Sequence, residues 1–314
     1  MRVSLVIPVY NGEKLLRETL ASVERQTFSD FECICVNDGG GDHSLDIIGE
    51  FARRDARFVV VDKSNEGVAT TRNRGIECAR GEFLSFLDQD DTLSKDYLRQ
   101  LVAMADATGA DVVCAAIDKD DFVMPEPGTY DFRRFMRGVH DPGGVDVNVW
   151  AKLYRLSTIG AARCPDGLYG ADDYVFSARY FKERARRLAV CPEAVYGHRM
   201  HSGSITSRMP AEFVVGTLEA EIMIMDLLAE TPDCYQREFS RVAAWGVKKV
   251  LRNGYSREEI GRISDRIRTV IGHPAFASAK FKDRMRLRLA AAGRYFALRV
   301  LSPSLIWRRR CRRS

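Results

Sequence analysis

Short apolar runs alternating with amphipathic segments dominate the first 120 residues, and few folds accommodate that rhythm. Runs at 3–7, 31–37, 58–61, 83–87 and 111–116 are the length of strands and too short for buried helices. Between them, about 13–26, 44–53, 68–79 and 95–107 carry helical periodicity; Leu15, Leu16, Leu20 and Val23 share one face of the first. This is the pattern of successive βαβ units, and it predicts an α/β protein with a mostly parallel central sheet.

Ligands of such sheets bind beyond the carboxyl ends of the strands. Here the first strand runs into Pro8-Val9-Tyr10-Asn11-Gly12, the second into Asp38-Gly39-Gly40-Gly41-Asp42 and the fourth into Asp88-Gln89-Asp90-Asp91. Three acids within four positions at a buried strand end are costly unless a cation shares the site. A hard divalent ion, Mg²⁺ or Mn²⁺, is the natural partner, bound through one or two carboxylates and substrate phosphates. A helix N-cap would explain one such acid but not three. Asp38 either accepts a hydrogen bond from a nucleobase or fixes the glycine turn, and the glycines allow close approach of backbone to a ligand. The helix beginning near Val68 carries Arg72 and Arg74; Arg72 is the better candidate for offering its planar donor fork to a diphosphate. No G-x-G-x-x-G stands here, which argues against an ordinary dinucleotide-binding domain.

Residues 125–144 are rich in Gly, Pro and charge and read as a loop-bearing insertion with a short helix at 132–136. A strand at 147–154 and a helix at 173–186 follow as expectations. Asp172 and Asp173, entering that helix, suit either an N-cap pair or a catalytic base. Residues 196–206 gather His198, Arg199, His201 and three hydroxyls in one loop. Lone histidines are more often structural, but this group reads as a phosphate-contacting loop, with Arg199 at the donor and His198 as a further metal ligand. Past about 210 the alternation stops and the period becomes helical, with a capping box at Ser256 and Glu259. The expected division is a catalytic domain over 1–210 and a helical extension over 211–314.

The formal charge of +5 is unevenly spread, since residues 280–314 hold twelve basic residues and one acid. A mildly acidic body therefore ends in a basic tail, as when one end of a chain meets an anionic surface. Within it, 295–307 combines apolar residues, arginine and Trp307 in the manner of a segment lying in a membrane interface; nucleic-acid binding or simple solubility are the alternatives. Eight cysteines show no C-x-x-C pair and suit a reducing compartment. No secretory signal and no ~20-residue apolar span are evident, so a cytoplasmic enzyme, peripheral on the inner face of the cell membrane, is expected.

Taken together, Val6-Ile7-Pro8-Val9-Tyr10-Asn11 and the stretch from Asn73 to Asp91 resemble the family-two inverting glycosyltransferases of the GT-A fold, a Rossmann-like architecture. The resemblance is dense over 4–91 and thinner over 148–176 and 196–206. It implies that Pro8, Val9, Tyr10 and Asn11 line a base pocket, that Asp38 contacts the base and that Arg72 holds the nucleotide. Asp88 and Asp90 would be the ends of a D-x-D motif, Asp88 near the donor sugar and Asp90 on the metal. Asp172-Asp173 corresponds to the family's Glu-Asp pair, with Asp173 the general base. Two departures stand out: aspartate at 172 in place of glutamate, and a single acid, Asp38, where the second strand ends. The implied reaction moves a sugar from a nucleoside diphosphate, expected to be UDP, to a hydroxyl of a glycan or lipid-linked glycan. The rivals are a sugar nucleotidyltransferase, which normally needs a glycine-rich phosphate loop with lysine that Tyr10-Asn11-Gly12-Glu13 supplies poorly, and a catalytically degenerate, membrane-docked binding module.

Overall fold

The computed structural model describes residues 1–139, 141–201, 204, 209–228, 231, 234–252, 254–295 and 298. They form two compact units: Met1–Gly167 with Asp172–Met200, and Leu168–Ala171 with the described residues from His201 onward. The tail from 299 on, expected to meet a membrane, lies outside the described residues.

The first unit is built on strands β1 (Val3–Val9), β2 (Phe31–Asp38), β3 (Phe58–Lys63), β4 (Phe83–Phe86), β5 (Thr92–Leu93), β6 (Val112–Ile117), β7 (Gly128–Tyr130), β8 (Lys152–Arg155) and β9 (Arg186–Gly197). Helices α1 (Glu13–Glu24), α2 (Ser44–Arg54), α3 (Val68–Cys78), α4 (Tyr97–Thr108), α5 (Phe132–Gly138) and α6 (Asp172–Glu183) connect them. The sheet runs β3-β2-β1-β4-β8-β6-β9-β5, with β7 beside β9. β3, β2, β1, β4, β6 and β9 share one direction; β5, β7 and β8 oppose it. The mostly parallel α/β fold expected from the alternation is therefore present. β1 has β2 on one side and β4 on the other, which makes the end of β1 the crevice where ligands of such sheets bind. Its seven residues are all buried, as a central strand covered on both faces requires. Pro8 stands past the last β1–β4 pair, Val6 with Phe86, where its missing N–H withholds no rung from that neighbour. Helix α3 lies tight on this strand at Gly75, where a Cβ would come within 2.2 Å of Val6 Cγ1.

Three local expectations need correction. The strand expected at 147–154 is confined to Lys152–Arg155, because Ala151 takes a positive φ of 55° and breaks the extended run before it. The insertion at 125–144 holds a strand, β7, besides its short helix. Helix α6 stops at Glu183, and Arg186 opens β9 instead, its guanidinium buried over the Tyr180 ring and paired with Glu183.

The second unit consists of α7 (Ala211–Leu227), α8 (Tyr235–Arg252), α9 (Arg257–Gly272) and α10 (Phe281–Ala291), packed through Val214, Leu218, Phe239, Ile263, Ile267 and Leu287. The capping box at the start of α9 forms as expected: Ser256 Oγ accepts from Glu259 N at 3.2 Å and Glu259 Oε2 from Ser256 N at 2.7 Å.

Candidate active site

The loop after β4 sits where the topology directs attention, and its acids face different partners. Asp88 Oδ1 accepts from Arg72 Nη2 at 3.1 Å. Asp91, 2% exposed, turns inward; its Oδ2 accepts from the Tyr196 hydroxyl and its Oδ1 from Arg199 N, both at 2.8 Å. The same Tyr196 oxygen accepts from Asp88 N at 3.1 Å, so one phenol ties both ends of the loop. Tyr196 reaches them because β9 skips Pro192–Ala194 in its pairing with β6, and this irregularity redirects the strand's end toward β5. Burial pushes the Asp91 carboxyl up to about 6 against its hydrogen bonds, and burial, with Asp90 and Asp172 adding to it, raises Asp88 despite Arg72. Negative charge is thus concentrated at this strand end, as the sequence suggested.

Arg72 occupies the middle of α3 with its side chain 8% exposed. Besides Asp88 it donates through Nη1 to Asp172 Oδ2 at 2.7 Å, while its buried Nε meets no partner among the described residues. Burial disfavours the guanidinium charge, but Asp172 and Asp88 outweigh it and hold the group firmly protonated. Asn73, next along α3, clamps both backbone groups of Cys164, accepting from its N at 2.9 Å and donating to its O at 2.8 Å. That pairing fixes the chain shortly before α6. At the start of α6, Asp172 is buried and Asp173 half-buried. Burial first, then the neighbouring Asp172 charge, push the Asp173 carboxyl up to about 7, suited to taking a proton near neutrality.

At the end of β1, Gln89 does work that sequence reasoning did not assign to it. Its side-chain amide pairs with both backbone groups of Tyr10: Oε1 accepts from Tyr10 N at 2.8 Å and Nε2 donates to Tyr10 O at 3.0 Å. The half-exposed Tyr10 is thereby held against the acidic loop; Pro8 and Val9 are buried in β1. Asn11, at φ 48°, accepts from Gly41 N at 3.0 Å through Oδ1. A Cβ on Gly40 would come within 2.8 Å of that oxygen, so the close approach the glycines permit is to Asn11. Asp38, 2% exposed, accepts from Lys63 Nζ, from Glu66 N at 2.9 Å and from Gly67 N at 3.0 Å. Burial opposes its charge, but Lys63 and the amides hold its pKa below the ordinary value. Of the two readings of Asp38, a turn is indeed fixed, though it is the one leading into α3 and not the glycine turn.

Arg199 and His198 also have internal neighbours. The Arg199 guanidinium donates to Glu18 Oε2 at 2.6 Å, to Thr19 Oγ1 at 2.9 Å and to the Asp90 carbonyl, strapping the acidic loop to α1. His198 lies flat against Trp150, ring centroids 5.4 Å apart, and Tyr196 stacks on the same indole at 4.7 Å. Trp150, like Gln89, Asn73 and Tyr196, was not singled out in the sequence. A buried aromatic at the end of an apolar run is the only signal Tyr196 gave.

Among the described residues no three His, Cys, Asp or Glu side chains gather into a metal cage. An ion that takes most of its shell from substrate phosphates and water needs none. Carboxylate oxygen is the donor Mg²⁺ and Mn²⁺ prefer, so Asp90, half-buried on this loop, fits a site shared with a diphosphate.

Comparison with known proteins agrees with this geometry. Residues 4–141 match the family described as Glycosyl transferase family 2. EpsH of Bacillus subtilis (strain 168), designated a glycosyltransferase, is 35% identical over 220 residues, 66% of this chain and 63% of EpsH. The chain thus spans somewhat under two thirds of that relative. The crystal structure of S. aureus TarS 1-349 in complex with UDP superposes with a TM-score of 0.73 at 21% identity, covering 99% of this chain and 93% of that one. The mannosyltransferase PcManGT of Pyrobaculum calidifontis, in complex with GDP-Man and Mn²⁺, gives 0.55 at 15% identity, covering 94% of this chain and 87% of that one. The alternation of strands and helices, the strand order and the acids at the end of β4 therefore have one common reading: residues 4–141 match a glycosyl transferase family 2 domain, built on the GT-A fold.

Proposed function

We propose that the protein transfers a sugar, with inversion, from a nucleoside diphosphate donor to a hydroxyl of a glycan or lipid-linked glycan. The observation that carries this is the Arg72 fork, which joins Asp88 of the acidic loop to Asp172, the neighbour of the proposed base. A loop that receives a donor and a helix that activates an acceptor thus share one cation. TarS has been crystallised with UDP-GlcNAc, which supports a UDP-sugar as donor. Asp173, with its carboxyl near 7, takes the proton of the acceptor hydroxyl as that oxygen attacks the anomeric carbon opposite the leaving diphosphate. Tyr10 and Asn11 border the base, and Arg72 keeps Asp88 oriented toward the donor sugar. Asp90 would hold Mg²⁺ or Mn²⁺, which when bound with the donor offsets charge on the departing diphosphate. PcManGT, crystallised with GDP-Man and Mn²⁺, supports a divalent ion as the cofactor.

The test is hydrolysis of a panel of nucleotide sugars with Mn²⁺ present. Release of a nucleoside diphosphate from one of them supports the reading. Release of pyrophosphate from a nucleoside triphosphate and a sugar phosphate would make the protein a nucleotidyltransferase, and turnover of no donor would leave a binding module.

A further inference from the structure

Helix α10 is the last helix named in the second unit, and its outward face is unusual. Phe281 is 70% exposed and Met285 40% exposed, four residues apart and so on one stripe. Lys280, Lys282 and Arg288 are exposed around them, while the Arg288 guanidinium lies 5.8 Å from the Phe276 ring. The helix has one acid, Asp283, and it is turned away: 7% exposed, it accepts from Ser240 Oγ at 2.7 Å and neighbours Arg286. The opposite side, Leu287, Ala290 and Ala291, is packed against the rest of the unit. An amphipathic helix normally keeps its large apolar residues on the packed side. Here two of them stand in water, ringed by cations with no exposed carboxylate between.

We infer that this face of α10 docks on an anionic lipid bilayer. Phe281 and Met285 would enter the headgroup boundary while Lys280, Lys282 and Arg288 pair with lipid phosphates, the division of labour of interfacial helices. Charge complementarity selects this occupant, and the sequence continues it, since seven more arginines follow between 294 and 313. The surface is thus a folded helix and not the basic tail alone. The test uses the full chain and sedimentation with phosphatidylcholine vesicles, with or without phosphatidylglycerol. Phe281→Ser with Met285→Ser should weaken binding to phosphatidylglycerol vesicles about tenfold, and replacing Lys280, Lys282 and Arg288 by Ser roughly fivefold per charge. Circular dichroism should be unchanged in both, since every altered side chain is exposed. Equal binding of parent and both variants, equal binding to neutral vesicles, or loss of a concentration-dependent dimer in the apolar variant without loss of vesicle binding would each overturn the inference.

Discussion

Arg72 donates to Asp172 Oδ2 at 2.7 Å, joining two residues 100 positions apart at the centre of the site. Both side chains are nearly closed to solvent, 8% and 4% exposed. Ions removed from water need excellent geometry to recover their hydration, and here the second amino group of the fork also reaches Asp88. The pair therefore serves as a fixed reference: α3, the acidic loop and the first turn of α6 are set by one planar cation.

Removing that cation should be severe in two separable ways. Arg72→Ala leaves Asp172 buried without its partner, an expected loss of about 3–5 kcal/mol read by urea unfolding. Arg72→Lys keeps charge but loses the fork, so it should retain more stability than Arg72→Ala while kcat/KM still falls at least tenfold. A Lys variant with parental kinetics would show that charge, and not bidentate geometry, is what the site needs.

As the proposed base, Asp173 predicts a pH signature for transfer. Its carboxyl must be ionised to act as base, so kcat/KM should rise with pH through about 7 and level off above. Asp173→Asn should lower kcat by about 10²–10⁴-fold with donor binding kept. Asp172 is one of the causes raising Asp173, so Asp172→Asn should move the inflection downward. Stability follows the opposite course. The folded carboxyl holds its proton above the ordinary value of 3.8, so its contribution falls as pH rises from about 4 through 7, and Asp173→Asn removes that slope. An unshifted profile in Asp172→Asn would remove Asp173 from the role of base.

Metal dependence should rest on Asp90. Asp90→Asn is expected to raise the Mn²⁺ concentration needed for half-maximal transfer roughly a hundredfold. Asp91, held by Tyr196 and Arg199 N, is the control: Asp91→Asn should act on thermal stability more than on the metal titration. Parental activity of Asp90→Asn at low Mn²⁺ would take the ion out of the mechanism.

Apart from the two-residue β5, the strands and helices up to residue 117 were legible because their periodicity is strong. The start of β8 was not, since Ala151 breaks the expected strand by backbone conformation and alanine carries no signal of such a break. At the site, residues whose charge must be partnered, Asp88, Arg72 and Asp172, could be singled out from their types and spacing. Tyr196 and Asn73 could not, because they act on backbone groups brought near only by folding. Asp38 was ambiguous for a related reason: its partners Glu66 N and Gly67 N are main-chain amides that any residue would supply.

Gln89 is the clearest instance, and it yields the last prediction. Its two hydrogen bonds to Tyr10 hold the loop after β1 against the acidic loop, and a Cβ on Gly12 would come within 2.5 Å of its Oε1. Gln89→Leu deletes both bonds and puts a branched apolar group in that space. At about 1 kcal/mol for each bond, the loss should appear as a donor KM raised roughly 10- to 30-fold. kcat should change little, because nothing in this pairing touches the acceptor side. Gln89→Glu keeps the acceptor for Tyr10 N, loses the donor to Tyr10 O and adds charge, so its KM should fall between parent and Leu variant at high salt. If both variants bind donor as the parent does, the Tyr10 loop is held by β1 and α1 alone, and Gln89 plays no part in donor binding.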